Sequence, residues 1–468
     1  MALVRAHGRS ASSFQALTPG LRYWFDATRD ACVAYAELGD AWVTVGGGLA
    51  ADQRELEVME AFAREARAHG KRVRFFATER ELPRDASFEA LQIGELPVWD
   101  PRDWPNKLSS RMRGQLRRDQ KSARVTVRLA SQAELADPRG ATRRGVDAVI
   151  AHWLDTRKVA PMGFMVHVDP WHLAHERRFF VAEHQGSVVA TLVAIPVCAR
   201  EGWFLETMLR LPNAPNGTVE LLFDLAMRTF AAEGSPYVTF GMCPLSGVTS
   251  KPLQWLRRLT GEFYNYDGLR KFKGKLGPAA WQPVYLVYPK RDLTLLALLD
   301  AARAFMPGGV LAFAWNSAIQ RATDSARWLA YGSMIWTSAF AWLSQDHWFA
   351  SAEAKLARVG LDVLTIGGLL LLGKGMRRAR ALAVSLLTMF TFAASCLQLA
   401  AGGAARIEGP LEWTMVAIGT LGSLLTSLFL FAARDRERRY LPDAAAHPSA
   451  AISPRLIWNR PTAGDGDL

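Results

Sequence analysis

Cysteine is scarce in this sequence. The four present, Cys32, Cys198, Cys243 and Cys396, lie far apart among 468 residues, and no two form a Cys-x-x-Cys pair. Neither a zinc site nor a disulfide framework is indicated, and a reducing compartment fits. An apolar signal-peptide core is missing as well, since the chain starts "MALVRAHGRSASSF". Acidic residues are in deficit, 44 against 56 Lys and Arg, which gives a net charge of +12. That balance favours an anionic partner, nucleic acid or anionic lipid, without choosing between them. What abounds is apolar: 50% of the residues are hydrophobic. The length exceeds one ordinary domain, so two or three are expected.

The composition shifts near residue 300. Beyond it, "ALAVSLLTMFTFAASCLQLAA" (381–401) and "WTMVAIGTLGSLLTSLFLFAA" (413–433) carry no charge. As helices these runs reach about 32 Å, enough to cross a bilayer core of roughly 30 Å. Two weaker runs precede them, 328–344 and 359–373, the latter interrupted by Asp362. A buried soluble helix is the alternative for either. "KGMRRAR" (374–380) and "RDRERR" (434–439) are basic, whereas 402–412 has only Arg406. The positive-inside rule therefore puts 374–380 and the C-terminal tail in the cytoplasm. Counting back through four spans puts residues 1–327 there too.

Before residue 300 the patterns alternate between strand and helix. "ACVAYAE" and "AWVTVGG" flank a Gly-Asp turn, a helix pattern runs from about Asp52 to His69, and Gly70 and the strand "RVRFFA" follow. Residues 179–241 repeat that order: "FFVAEH" and "VVATLVAIP" around Gln185-Gly186, a further strand "GWFLETM", a helix over 217–233, Gly234, then "YVTFG". The repetition suggests a duplicated mixed α/β unit. The second helix is introduced by "LRLPNAPNGT", in which Pro212 and Pro215 stiffen the approach. Asn216 is the expected N-cap, and Gly217 allows close backbone approach. Glu220 falls in the first turn, where its charge suits the helix dipole. A rigid loop thus presents a helix N-terminus, a group suited to an anion.

Two segments concentrate positive charge. Lys107, Arg111, Arg113, Arg117, Arg118, Lys121, Arg124 and Arg128 are opposed only by Asp119. On a helix, Arg113, Arg117, Lys121 and Arg124 share a face suited to a phosphate backbone; a solvated face or anionic headgroups are the alternatives. In "GLRKFKGKL", Lys271, Lys273 and Lys275 alternate with Phe272, Gly274 and Leu276. An extended segment would point all three lysines one way as a phosphate clamp. The histidines of "HVDPWHLAHE" match no standard zinc spacing, so no metal is expected. Cys243 reads as a buried structural cysteine.

"LRLPNAPNGTVELL", "VTFGMCPLSGV" and "GLRKFKGKLGPAAWQPVYLVYP" occur in that order. Together they resemble the C-terminal synthase domain of the phosphatidylglycerol lysyltransferases, the multiple peptide resistance factor family, over roughly residues 20–290. The resemblance implies an α/β (α+β) chain of tandem acetyltransferase-like (GNAT) domains followed by an α-helical transmembrane region. It implies a membrane-anchored aminoacyltransferase, without cofactor, that moves an amino acid from aminoacyl-tRNA to a lipid hydroxyl, that of phosphatidylglycerol. The expected divisions are a flexible N-terminus (1–15), a first subdomain with the basic segment (16–160) and a second with the substrate site (161–292). A linker or amphipathic helices (293–327), about four spans (328–433) and a disordered basic tail (434–468) complete them. The implied partners are aminoacyl-tRNA, anionic phospholipid and the membrane, here the inner (plasma) membrane. Members carry membrane helices before the synthase domain, whereas here they follow it. The family's acidic-x-Met-Arg run appears as Glu206-Thr207-Met208-Leu209-Arg210, one residue longer.

On this reading Glu206 is the base or the binder of the amino acid's ammonium. Arg210 and the helix start at Asn216, Gly217 and Thr218, with Glu220 beside it, hold an oxyanion or a phosphate. Arg270, Lys271, Lys273 and Lys275 meet phosphate of the headgroup or of the acceptor end. Arg111, Arg113, Arg117, Arg118 and Lys121 face tRNA. An acyl-CoA-dependent N-acyltransferase and a non-catalytic membrane scaffold are the rival readings. Against the first, "NAPNGT" lacks the Arg/Gln-x-x-Gly-x-Gly/Ala loop that cradles the CoA pyrophosphate.

Overall fold

The computed structural model describes residues 1–434 apart from 84, 105–109, 123–124, 158–159, 167, 249, 261–264, 344–350 and 408, with backbone alone at 111, 251, 252, 256, 259, 260 and 402. Lys107, Arg124, His167 and the tail after 434 fall outside the described residues, as does the side chain of Arg111. Two compact units emerge: residues 1–156 with 161–310, and residues 157–160 with 311 onward.

The first unit is built on one 12-stranded sheet. Its strands are β1 (Arg22–Phe25), β2 (Cys32–Leu38), β3 (Ala41–Val45), β4 (Arg72–Thr78), β5 (Phe88–Trp99), β6 (Thr126–Leu129), β7 (Arg178–His184), β8 (Ser187–Val197), β9 (Gly202–Arg210), β10 (Val238–Thr239), β11 (Cys243–Pro244) and β12 (Ala280–Pro289). They run in the order β1-β2-β3-β4-β12-β5-β10-β9-β8-β7-β6, with β11 also on β5.

The duplication is plain in this order. In the first half, β1, β2 and β3 are antiparallel, the helix Glu55–Ala68 follows, and β4 returns parallel to β3. In the second half, β7, β8 and β9 are antiparallel, the helix Thr218–Ala232 follows, and β10 returns parallel to β9. Gly70 (φ +66) and Gly234 (φ +77) end the two helices in the left-handed conformation that favours glycine. The halves exchange their next strands. β12, from the end of the unit, lies beside β4, and β5, from the first half, lies beside β10. β5 and β12 pair from Val98↔Ala280 to Phe88↔Pro289, so one sheet runs through both halves.

Each helix buries the stripe its sequence spacing sets. Val58, Met59, Phe62 and Ala66 pack on Val33, Tyr35, Trp42 and Phe75. Leu222, Phe223, Ala226, Met227 and Phe230 pack on Phe180, Leu192 and Leu205. Each such large apolar side chain contributes about 1.5–3 kcal/mol by leaving water.

The N-terminus departs from the flexible leader expected. Ala2–His7 is a helix, Phe14–Leu17 a short turn of helix, and Val4, Phe14 and Ala16 are buried with Phe204 and Ile195. Apolar residues in an otherwise polar stretch anchor it. The helix Thr294–Ala304, within the expected linker, joins the sheet through buried charges. Arg74, fully buried on β4, meets Asp292 at 2.5 Å and Asp300 at 3.0 Å, and Asp300 also takes Arg72 at 2.9 Å.

The second unit is helical: Ala322–Leu343, Ala352–Lys374, Arg378–Gln398 and Pro410–Ala433. Three helices are long and apolar enough to cross a membrane, namely Ala352–Lys374, Arg378–Ala401 and Pro410–Ala433. The run 359–373, weak on its own, is lengthened by the turns before it into a helix long enough to cross a membrane. The expected fourth span is a 22-residue helix, Ala322–Leu343, but its Ser, Gly and Trp content leaves it less apolar than the others. Hydroxyl side chains share the interior of this unit with an apolar cluster that includes Leu369, Leu372, Val384 and Phe429, and large apolar side chains lie outside. Ser385, Thr388, Thr391, Ser395, Thr420 and Ser427 are buried, while Leu364, Phe390, Leu397, Leu425 and Phe431 are exposed. Ser385 and Ser427 donate to each other's carbonyls at 2.9 and 2.8 Å, the small-polar glue of helices packed in lipid.

Candidate active site

The two parallel strand pairs differ. β3 and β4 pair from Ala41↔Arg72 to Val45↔Phe76, and the Gly46 amide extends the ladder to the Phe76 carbonyl at 2.7 Å. β9 and β10 pair only at Trp203↔Val238 and Phe204↔Thr239. Beyond Phe204 the strands part. At the parting, β9 carries a bulge: opposite Ala194 and Val193 stand Leu205 and Thr207, and Glu206 is the extra residue. Bulges of this kind re-aim a side chain and recur beside active sites.

Glu206 is held on both oxygens. One meets the Arg177 guanidinium at 2.5 Å, and the other accepts from the Gln15 amide at 3.2 Å. Arg177 is 7% exposed and Glu206 18%. Arg177 also donates to the His172 carbonyl at 2.9 Å and lies 5.4 Å from the Phe14 ring. Gln15 is fixed by the Met165 carbonyl at 3.0 Å. The buried N-terminal turn therefore walls one side of Glu206. Sequence reasoning missed Arg177 and Gln15, because their distance along the chain leaves no local signal.

Glu206 and Arg210 are not brought together. Arg210 pairs with Ala190, which packs under the helix Thr218–Ala232. Glu206 lies on the other face, toward the N-terminal turn that holds Phe14 and Gln15. Arg210 ends exposed at the strand terminus.

The loop after Arg210 corrects a second expectation. The N-cap is Gly217 (φ +87), with no side-chain cap, and Asn216 precedes it, exposed. The reason is Asp119: a Cβ on Gly217 would lie 2.4 Å from the Asp119 Cγ. Only glycine fits there, and the basic segment's one acid fills the space beside the helix start, where a carboxylate suits the dipole. Thr218 is buried and its hydroxyl donates to the Pro215 carbonyl at 2.6 Å; Glu220 is half-buried.

The alternating lysines are helical, not extended. Tyr266–Lys275 is a helix capped by Asn265, whose side chain accepts from the Gly268 amide at 2.8 Å. Lys271 and Lys275 are exposed, whereas Lys273 points inward and is 4% exposed. Its ammonium donates to the carbonyls of Phe240, Gly241 and Met242 at 2.6, 2.9 and 3.4 Å. These are the carbonyls that follow β10 where it leaves β9. Lys273 is thus no surface phosphate ligand: it satisfies the parted strand. Burial pushes its value down from 10.5 to about 8, opposed by the charge of nearby Cys243. Cys243 is itself buried, and burial pushes its thiol up. Arg270 donates to Glu95 at 3.2 Å and stacks 4.5 Å from the Trp281 ring.

The basic helix is Ser110–Ser122. Met112 and Leu116 are buried in the core of the helix Thr218–Ala232, and Arg113, Arg117, Arg118 and Lys121 are exposed.

Two copies of one strand–helix–strand plan in a single sheet define a tandem α/β domain. Residues 1–288 match the family described as phosphatidylglycerol lysyltransferase, C-terminal, and the chain belongs to that family. It is similar to the phosphatidylglycerol lysyltransferase of Bacillus subtilis (strain 168), 24% identical over 319 residues. The match covers 64% of this chain and 36% of that protein, so the chain spans about a third of that relative's length. Two solved structures share the fold. One is the C-terminal domain (DUF2156) of a protein designated lysylphosphatidylglycerol synthetase from Agrobacterium fabrum, with 22% identity, 66% of this chain, 97% of that one and a TM-score of 0.56. The other is L-PGS from Bacillus licheniformis, with 21%, 65%, 95% and 0.54.

Proposed function

We propose that the protein transfers an amino acid from aminoacyl-tRNA to a hydroxyl of an anionic phospholipid, phosphatidylglycerol foremost, at the parting of β9 and β10. The lipid hydroxyl oxygen attacks the acyl carbon of the aminoacyl ester. A new ester bond forms, the bond to the ribose oxygen breaks, and the hydroxyl proton passes to that leaving oxygen. The observation that carries this reading is Glu206, an acidic group set by a bulge where the strands separate. It either takes the proton or receives the aminoacyl ammonium. Backbone amides on the parted strand edges supply donors for the oxyanion. Arg210, exposed at the end of β9, and Lys271 and Lys275, exposed on their helix, suit phosphate. The exposed row Arg113, Arg117, Arg118 and Lys121 suits the tRNA backbone.

One observation speaks against the acyl-CoA reading. The helix start that would have to meet a pyrophosphate faces the Asp119 carboxylate. The protein is proposed to lie in the inner membrane, multi-pass, with its catalytic half in the cytoplasm, where aminoacyl-tRNA is found. The test is transfer of a labelled amino acid from tRNA by the full chain in vesicles containing phosphatidylglycerol, with mass spectrometry of the lipid. Labelled aminoacyl lipid is expected. Acetylation of an amine by acetyl-CoA, with no aminoacyl lipid formed, would overturn the reading.

A further inference from the structure

We infer that the helix Thr294–Ala304 is an interfacial helix that seats the catalytic half on the surface of the bilayer. It lies beyond residues 1–288, which carry the family match, so that likeness does not account for it. Its two faces are reversed relative to a helix of a water-soluble domain, which buries leucine and exposes charge. Ala297, Asp300 and Ala301 are buried against the protein. Leu295 and Leu299 point outward, 69% and 52% exposed, and Leu293 at the N-cap is 74% exposed. With exposed Ala302, Leu295 and Leu299 keep intervals of four and three, so they form one stripe.

The inward face is fixed by charge. Asp300 accepts from Arg72 Nε at 2.9 Å and from Arg74 Nε at 3.1 Å. Ala297 and Ala301 pack with Leu286 and Tyr288 of β12. Rolling the leucines inward would take this carboxylate from both guanidinium groups, and Arg74 is fully buried. The leucines therefore stay out. Exposed apolar groups gathered on one face mark a contact with lipid or with a partner.

The occupant is a lipid surface. Exposed Lys290 and Arg291 come directly before the leucines and suit anionic headgroups at the depth where leucine enters the acyl boundary. After Val310 the chain enters the helical unit, in which three helices are long and apolar enough to cross a membrane. Thr294–Ala304 is not itself a span. Its 11 residues reach about 16 Å against a bilayer core of roughly 30 Å, and its Asp300 face is committed to the sheet. The seat is also tied to the candidate site. The Phe305 carbonyl accepts from the Gly163 amide at 3.2 Å, and the Phe305 ring lies 5.3 Å from that of Phe164. The nearby Met165 carbonyl holds Gln15, which donates to Glu206. A short run of packed groups thus joins the lipid-facing helix to the carboxylate. Resting on the function proposed above, the seat presents acceptor lipid of the bilayer to that site.

The test reconstitutes the full chain in vesicles of neutral phosphatidylcholine that carry a diazirine in the acyl chain. After irradiation, peptide mass spectrometry locates the carbene adducts. Adducts are expected on Leu295 and Leu299 and not on Ala297 or Ala301. Leu295→Ser combined with Leu299→Ser changes only exposed positions and leaves the core intact. It should cut labelling of the remaining residues of 293–310 by roughly fivefold or more. The same variant should lose roughly tenfold or more in transfer to phosphatidylglycerol of the bilayer, while transfer to water-soluble dibutyryl phosphatidylglycerol stays within about twofold. A segment 293–310 without adducts while 413–433 is labelled would overturn the proposal, whether or not a second copy covers the leucines. So would labelling spread evenly over all faces of the helix, the mark of a span, or equal loss of transfer to both acceptors. Labelling needs no chemistry at Glu206. A chain that transfers to neither acceptor therefore overturns the function proposed above, and the adducts still decide the seat.

Discussion

The two halves of the sheet share one plan and differ at one place. In the first, β3 and β4 stay paired along the whole of β3, and β3, Ala41–Val45, carries no ionisable residue. In the second, β9 and β10 part after two residue pairs, and Glu206 stands at the parting. A paired edge has no vacant donors or acceptors and no room for a substrate. An opened edge has both, and here its cost is offset by Lys273, which caps three carbonyls in the ladder's place. One copy is thus closed between its parallel strands, and the other is open. The difference rests on a bulge and a lysine, not on a change of topology.

The largest effect should come from breaking that contrast. Removing a base or a charge partner for the reacting group typically costs on the order of 10²–10⁴ in rate. Glu206→Gln should therefore nearly abolish labelled transfer while the protein still inserts and binds tRNA. Thr44→Val on β3, which loses a buried hydrogen bond to the Gly46 carbonyl, should keep transfer within a few-fold. Comparable losses from both would show that the halves are not functionally distinct. The kinetic constants of Glu206→Gln separate the two roles of Glu206: loss of a base lowers kcat, whereas loss of an ammonium receptor raises KM.

The basic helix, whose Met112 and Leu116 pack into the core of the helix Thr218–Ala232, comes next. Alanine at Arg113, Arg117 and Lys121 together should flatten the salt dependence of tRNA binding by about one unit of slope per lost contact. An unchanged slope would assign the row to lipid or solvent.

Two left-handed glycines, one after the first helix and one before the second, come next. A Cβ on Gly70 (φ +66) would meet nothing within 4 Å, whereas a Cβ on Gly217 (φ +87) would meet Asp119 at 2.4 Å. Left-handed backbone costs a non-glycine residue roughly 1–2 kcal/mol. Gly70→Ala should show that cost alone, and Gly217→Ala should lower the thermal midpoint further. Asp119→Ala combined with Gly217→Ala should recover part of the difference, because the two substitutions share one contact. Equal midpoints for the two single glycine variants would mean that the Asp119 contact is slack.

Much of this was legible in the sequence because it is local. Periodicity gave both crossover helices, Gly70 and Gly234 marked their ends, and uncharged runs gave the last two apolar helices. Nonlocal pairing was not legible. Nothing in "RVRFFA" or "WQPVYLVYP" says that β12 will lie beside β4, nor does Arg177 announce Glu206. Two local readings failed for physical reasons. Lys-x-Lys-x-Lys imitates strand alternation, but Leu269, Phe272, Lys273 and Leu276 keep helical spacing, and Asn265 supplies the cap. Asn216 is a good cap by type, yet Asp119 leaves room only for Gly217.

The smallest effect, and the sharpest on the parting itself, is a pH dependence from Lys273. Burial lowers its value from 10.5 to about 8. Below about 8 the ammonium is charged in folded and unfolded chains alike, and its burial penalty is fully present. Between 8 and 10.5 the unfolded chain holds a proton that the folded chain has released. Stability therefore rises with pH across that window and levels off above it. The thiols of buried Cys32 and Cys243 and of half-buried Cys198, pushed up by desolvation, act with the opposite sign from about 9 upward. The measurement must accordingly be a difference: thermal midpoints of wild type minus Lys273→Met, from about pH 7 to about 10.5. The variant should start lower, since it leaves three carbonyls without their donor. The gap should then widen as wild type sheds its buried charge; the Cys32 and Cys198 contributions cancel, while Cys243, whose thiol loses the lowering effect of the Lys273 charge in the variant, adds to the widening. A gap independent of pH would mean that Lys273 reaches solvent when the strands part, and that the opened edge is held by something else.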